Sequence, residues 1–357
     1  MGRSPNTKGE RIEITDIKLL CKGPDQGGHN FRQCPSWTVA LFGGIDCQKD
    51  CVKYAVYAFG AQGKRRALVD SGSIPRDESL KFYDVKAKLA DIGNFEVVGA
   101  LRKLTPRFLM DSGFWTHEVY QIVRELQHEQ GRNRFILCKG DSHTAGSFKP
   151  YRRTGITEVK GPSGEKYTLP SEMEMLLVNG DYFKDQRMKD LMPLSEEVVE
   201  TLRSVCETDE QFEEALDAIV PFEFPGIESW PDADAFIAEL AAEEKVWVGA
   251  GSGRSGKDGL GRLRREWRKR RSTMPNDYGD ATDYACCAAQ RFQIHQWTQE
   301  MADEAIERVE RGLGNTAYTK AAGEGSHTKH IDGGKRASRG NLRRPDTIEE
   351  RANQGPL

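Results

Sequence analysis

Residues 37–60 read WTVALFGGIDCQKDCVKYAVYAFG, and this stretch decides the fold. Trp37 to Gly44 is an apolar run, Ile45-Asp46-Cys47-Gln48 follows it, and a second apolar run extends from Val52 to Gly60. Two such runs across a short polar patch predict a β-hairpin. Working outward, Lys64 to Ser71 supplies a third strand. Phe82 to Ile92 carries apolar residues at helical spacing, with Gly93 as a stop signal. Arg107 to Met110 predicts a strand that turns at Asp111-Ser112-Gly113. Thr116 is placed to cap a helix whose apolar face is Val119, Tyr120, Val123 and Leu126. Phe135 to Cys138 predicts another strand, closed by Lys139-Gly140. Three consecutive strands followed by strand–helix–strand argue a mixed α/β sheet with helices packed on it.

The remaining segments are less patterned. Residues 1–37 read as a lead-in and 140–170 as a Gly- and Pro-containing loop, followed by a strand near 174–178 and a helix over 182–191. A long helix is predicted over 279–311, with Ala281, Tyr284, Ala285, Ala288, Ala289 and Phe292 facing a core. Residues 312–357 are Gly-, Ser- and charge-rich with few apolar side chains, the composition of a disordered tail. No run approaches eighteen apolar residues, so no membrane helix is expected, and the N-terminus lacks a signal-peptide core. The 8 cysteines form no CxxC pair and read as buried free thiols rather than a zinc site or a disulfide scaffold.

The chain has 52 Lys+Arg against 55 Asp+Glu, so its total charge does not mark a nucleic-acid binder. The distribution does more. Residues 190–247 hold 17 Asp/Glu and 2 Lys/Arg, read as an acidic, largely helical elaboration. Residues 254–271 hold 9 Lys/Arg and 2 Asp/Glu. Within the basic segment, Arg262, Arg264, Arg265, Arg268, Lys269, Arg270 and Arg271 surround Trp267. Read as a helix, this run is either a solvated face that offsets the acidic block or a phosphate-backbone surface on which Trp267 stacks. No base-reading motif accompanies it, so any DNA affinity is expected to be sequence-independent. Gly251 to Lys257 spells GxxxxGK. The next residue, Asp258, stands where a nucleotide-binding loop needs Ser or Thr for magnesium, so no ATP site is expected here.

Acidic residues beside apolar elements carry the chemistry. Asp46 follows the first strand, Asp111 ends a later one, and Asp280 and Asp283 lie one turn apart on the long helix. Gathered in one cleft they would repel each other unless a cation compensated them, and Mg²⁺ or Mn²⁺ suits such oxygen ligands and phosphate substrates. Taken singly, each acid also suits a cap or a surface charge. Lys139, after the next strand, is a candidate phosphate contact.

In their order and intervals these motifs resemble a known family, the C-terminal nuclease domain of the large terminase subunit of tailed bacteriophages, in its lambda-like branch. The resemblance rests on Phe42-Gly-Gly-Ile-Asp46-Cys-Gln48, on Met110-Asp111-Ser-Gly113 with Thr116 and Val119-Tyr120, and on Lys139-Gly140. Val178 to Lys184 and Asn276-Asp277-Tyr278-Gly279-Asp280, followed by Tyr284-Ala285 and Ala288-Ala289, continue it, so that it covers roughly 38–295. It implies an RNase H-like α/β fold over about 38–311, a mixed central β-sheet flanked by helices with an additional helical insertion. It also implies a two-metal endonuclease that cuts concatemeric double-stranded phage DNA in the host cytoplasm during packaging. Asp46, Asp111 and Asp280 correspond to the family's metal-binding acids, and Asp283 to a less uniform fourth. The partners implied are an ATPase motor, a small terminase subunit and a portal protein. The chain departs from the family in lacking the motor domain and in carrying Asp277 for the usual glutamate. A resolvase or repair nuclease on the same fold, or a catalytically silent DNA-binding module, would share most of these features.

Overall fold

The computed structural model describes residues 10–298 apart from 76–81, 101–102, 115, 142–148, 161–163, 193, 220 and 249–263, together with 300, 301, 304 and 307. The predicted tail, the GxxxxGK string and Arg262 therefore lie outside the described residues. Strand β1 (Glu10–Arg11), helix α1 (Ile14–Leu19) and β2 (Cys21–Lys22) come from the segment read as a lead-in. The hairpin β3 (Ala40–Cys47) and β4 (Cys51–Phe59) follows, and β5 (Arg66–Pro75) completes the antiparallel trio. Next come α2 (Phe82–Ala90), the short strands β6 (Phe95–Glu96) and β7 (Lys103–Leu104), then β8 (Arg107–Asp111), α3 (Thr116–Gln130) and β9 (Phe135–Gly140). The second half holds β10 (Tyr151–Lys160), β11 (Lys166–Val178), α4 (Gly180–Leu191), α5 (Glu196–Val205) and α6 (Asp209–Ile219). It ends with β12 (Phe222–Pro225), α7 (Ala233–Leu240), β13 (Glu243–Val248), β14 (Arg264–Lys269) and α8 (Asp277–Arg291).

Nine of these strands form one sheet in the order β10-β11-β9-β8-β3-β4-β5-β12-β2. β4 runs antiparallel to both β3 and β5, while β8 and β9 continue from β3 in parallel. This mixed sheet, flanked by helices, is an RNase H-like α/β architecture. Every residue of β3 is buried, because the strand is covered on both faces. On one face Phe42, Leu109, Ile136 and Leu176 pack against α8, α4, α7 and Ile17 of α1. On the other, Leu41, Ile45, Val56 and Met110 meet Val119, Val123 and Leu126 of α3 and Val85 and Leu89 of α2. No helix among the described residues is long and apolar enough to cross a membrane.

The structure departs from the sequence reading in several further places. The loop expected over 140–170 holds β10 and the start of β11, a hairpin whose first strand lies at the sheet edge and needs no continuous apolar run. The acidic block is not one helical insertion, since β12 enters the main sheet beside β5 and α7 is buried. Only α5 and α6 form a separate pair. The helix expected to reach 311 stops at Arg291, because Gln293 takes a left-handed conformation (φ 59°) that breaks the repeat. Thr116 is the first helical residue, and its hydroxyl donates back to the Ser112 carbonyl rather than capping the helix.

Asp70 on β5 supplies a pH test of the folded core. It is 3% exposed, and burial pushes its carboxyl from 3.8 up to about 6 despite the opposing Arg32 charge. A carboxyl raised in the folded state stabilises most below its unfolded pKa, and that stabilisation is lost as pH rises through the folded value. Asp70→Asn should therefore match wild type near pH 4 and exceed its stability by about 3 kcal/mol at pH 8. Urea unfolding at the two pH values checks this, and a difference that did not change with pH would refute it.

Candidate active site

β3 and β8 lie side by side in parallel, with Ile45 opposite Met110. The next residue on each strand is an aspartate, and the pleat turns both toward α8, the face already taken by Phe42 and Leu109. Gly44 lets the helix come this close. A Cβ there would lie 1.9 Å from the Ala281 carbonyl oxygen and 2.7 Å from the Tyr284 Cβ, so the helix backbone rests directly on β3. Asp280, one residue before Ala281, is thereby carried to the strand-borne acids.

Each carboxylate is held by a local donor. Gln48 Nε2 donates to Asp46 Oδ2 at 2.6 Å. The Gly113 N–H donates to Asp111 Oδ2 at 3.0 Å, and the Tyr284 hydroxyl to Asp111 Oδ1 at 3.4 Å. Asn276 Nδ2 donates to Asp280 Oδ2 at 3.0 Å.

The charges of these groups reach one another. Burial, then the charges of Asp280, Asp111 and Asp277, hold Asp46 well above the usual carboxylate range, with Gln48 opposing. Burial lifts Asp111 to about 6, with Asp280 raising it further against the pull of the Gly113 N–H, Tyr284 and Lys139. Burial also raises Asp280, opposed chiefly by Lys184. Asp280 raises both strand-borne acids, and three such all-oxygen groups suit a hard divalent cation in donor chemistry. Among the described residues, no group of three or more His, Cys, Asp or Glu side chains is gathered into a metal cage as they stand.

Asp283 is paired with an arginine. It is 2% exposed, and its Oδ1 lies 3.1 Å from Arg187 Nε. Burial lifts it to about 7 against the Arg187 and Lys184 charges, with Asp280 raising it as well. Gly279 makes room for that arginine, since a Cβ there would lie 2.4 Å from Arg187 Nη1. Lys139 is exposed at the end of β9.

The sequence reading missed the compensating charges. Lys184 bridges Asp280 and Glu243, Arg187 bridges Glu243 and Asp283, and Lys53 bridges Glu239 and Asp277. Their only local signals were Lys184 and Arg187 at i,i+3 on α4, and Glu239 and Glu243 four apart in the acidic block.

The basic segment is a strand, not a helix. β14 pairs antiparallel with β13, which pairs with β1 on its other edge. Five charged residues around the single Trp267 give a helix no apolar stripe to pack, while a strand can pair along its backbone with β13. Part of its charge is spent internally: Arg265 pairs with Glu10 and Arg270 with Glu13. Trp267 donates from Nε1 to Asp185 at 2.9 Å, with Lys245 5.8 Å from its ring centroid. Arg268, Lys269 and Arg271 are exposed. So is Trp247, at 59%, with the Arg265 guanidinium 5.3 Å from its ring centroid. Trp247 was not among the residues expected to bind DNA.

One family, described as terminase large subunit gpA, endonuclease domain, matches residues 26–301. No curated protein matches the chain.

Proposed function

The chain belongs to the terminase large-subunit gpA endonuclease-domain family, and from that premise we propose that it is a divalent-metal-dependent endonuclease cutting double-stranded phage DNA during genome packaging. The observation that carries this reading is the placement of Asp46 and Asp111 near the ends of two adjacent parallel strands on which the helix bearing Asp280 is closely seated. Asp46 and Asp111 would hold one Mg²⁺ or Mn²⁺, and Asp46 and Asp280 a second. When bound, such a pair supplies an activated water and stabilises the leaving oxygen of a phosphodiester. The protein's own residues set the stage. Gln48, Gly113, Tyr284 and Asn276 fix the carboxylates, and Lys139 is placed to meet a backbone phosphate at the open end of β9. The exposed Arg268, Lys269 and Arg271 on and beside β14, with Trp247 of β13, would offer DNA a charged and stacking surface. In this reading Arg265, Trp267 and Arg270 shape that surface. Arg264 lies on the same strand, and Asp283 stays with Arg187. The enzyme would work in the host cytoplasm with an ATPase motor, a small terminase subunit and a portal protein.

The direct test is supercoiled plasmid incubated with protein in Mn²⁺, Mg²⁺ or EDTA, with Asp111→Asn beside wild type. Cutting in either metal, none in EDTA, and a loss of more than about a hundredfold in the variant are expected. Equal cutting by both proteins would sink the proposal. For the basic strand, replacing Arg268, Lys269 and Arg271 together with glutamate should weaken duplex affinity by at least about tenfold and flatten its salt dependence by about three phosphate contacts. A binding isotherm unchanged by all three reversals would remove the strand from the DNA path.

A further inference from the structure

The bridge made by Lys184 stands out among the charges around the site. Its Nζ lies 2.5 Å from Glu243 Oε1 and 3.3 Å from Asp280 Oδ1, and its side chain is only 16% exposed. Among the described residues, Lys53 and Arg187 make no ion pair with Asp46, Asp111 or Asp280: Lys53 serves Glu239 and Asp277, and Arg187 serves Glu243 and Asp283. Lys184 is thus the ammonium that faces the helix acid, and it shares that acid's Oδ1 with whatever else would bind there. Glu243 is 6% exposed and pulls the other way, at the shorter distance. It begins β13, directly opposite Lys269 of β14.

We propose that Lys184 is a positioning residue that holds Asp280 as a resident counter-charge and sets how tightly this acid takes a divalent cation, with Glu243 drawing the lysine away. The inference rests on the reading of Asp280 as a metal ligand and adds to it a residue whose charge opposes binding. An ammonium beside a carboxylate competes with an incoming dication for the same oxygen and repels its charge. Removing the lysine frees the oxygen. Neutralising Glu243 leaves the lysine to Asp280 alone.

These two changes carry opposite signs, which a loss of packing cannot imitate. Mn²⁺ binding to the full chain at pH 8, followed by the fall in the free-Mn²⁺ paramagnetic resonance signal, reads both without recourse to cleavage. Lys184→Met should bind Mn²⁺ about tenfold tighter than wild type, Glu243→Gln several-fold weaker, and Lys184→Arg close to wild type. Unchanged or weaker binding by a folded Lys184→Met overturns the inference, and so does unchanged or tighter binding by Glu243→Gln. Should the methionine variant fail to fold, the glutamine variant alone decides. Asp46→Asn separates this failure from that of the site itself. If wild type and Asp46→Asn take up Mn²⁺ alike, the metal-site reading falls and the lysine's role with it. If only wild type binds, an unresponsive lysine fails alone.

Discussion

Asp46→Asn is expected to abolish DNA cleavage and, in EDTA, to make the protein harder to unfold. The first effect follows from the proposed role of Asp46 as the carboxylate shared between both ions, so its loss should cost more than about a hundredfold in rate. The second follows from its surroundings. Asp46 is 3% exposed, and burial together with Asp280, Asp111 and Asp277 raises its carboxyl well above the ordinary range. Such a group contributes stability only while it is protonated. That contribution disappears as pH rises through the raised value, leaving a buried, repelled anion. Asparagine keeps the shape and can accept the Gln48 hydrogen bond, without the charge. At pH 8 in EDTA the variant should be more stable than wild type, and the gap should narrow on acidification. Saturating Mn²⁺ should reverse the order, since a ligand that binds the folded state stabilises it by mass action and the variant has lost the shared ligand. Paired melting curves with and without metal read both arms. A variant less stable than wild type in EDTA would show that the carboxylate is not strained in the folded protein.

Gly44→Ala is the second large effect. The added Cβ would meet the Ala281 carbonyl oxygen at 1.9 Å, a backbone atom that no rotamer change can move. Either α8 lifts from the sheet or the strand bends away. Overpacking of this kind typically costs about 1–3 kcal/mol and here should lie at or above the top of that range. Because Asp280 rides on the lifted helix, cleavage should fall further than stability alone predicts. Gly180→Ala is the matched control: nothing lies within 4 Å of its Cβ, at the first position of α4. It should be neutral or slightly stabilising, by about 0.5 kcal/mol. A Gly44→Ala protein with wild-type urea midpoint and wild-type cleavage would mean that α8 does not sit on β3 as described.

What could be read from the sequence divides along physical lines. β3, β4, β8 and β9 are buried on both faces or nearly so, and they appear in the chain as short apolar runs. Their bounds were legible within a few residues, although Asp46 lies inside its strand rather than after it. The candidate acids Asp46 and Asp111 stand out because each interrupts or ends such a run, and Asp280 because it opens a helix of small residues. Edge elements were not. β10 and β14 are rich in polar and charged residues, a composition that competes with loop or helix until a partner strand is known, whereas β11 is legible only over its apolar end near 174–178. The compensating charges were hidden for another reason. Lys184 meets Glu243 across 59 residues of chain, and Lys53 meets Glu239 across 186. A pairing made only by the tertiary fold leaves no local signature.

The spacing of the three acids along the chain has a consequence for when the proposed enzyme becomes dangerous to DNA. Asp46, Asp111 and Asp280 join the site through a parallel strand pairing and a helix near the end of the described fold, all non-local contacts that form late because distant segments must first be brought together. A nascent chain that has not yet produced α8 carries two of the three acids and no platform for the third. Cutting capacity would then arrive all at once, with the last helix, and a partly made or locally opened molecule would be harmless to the genome it was translated beside.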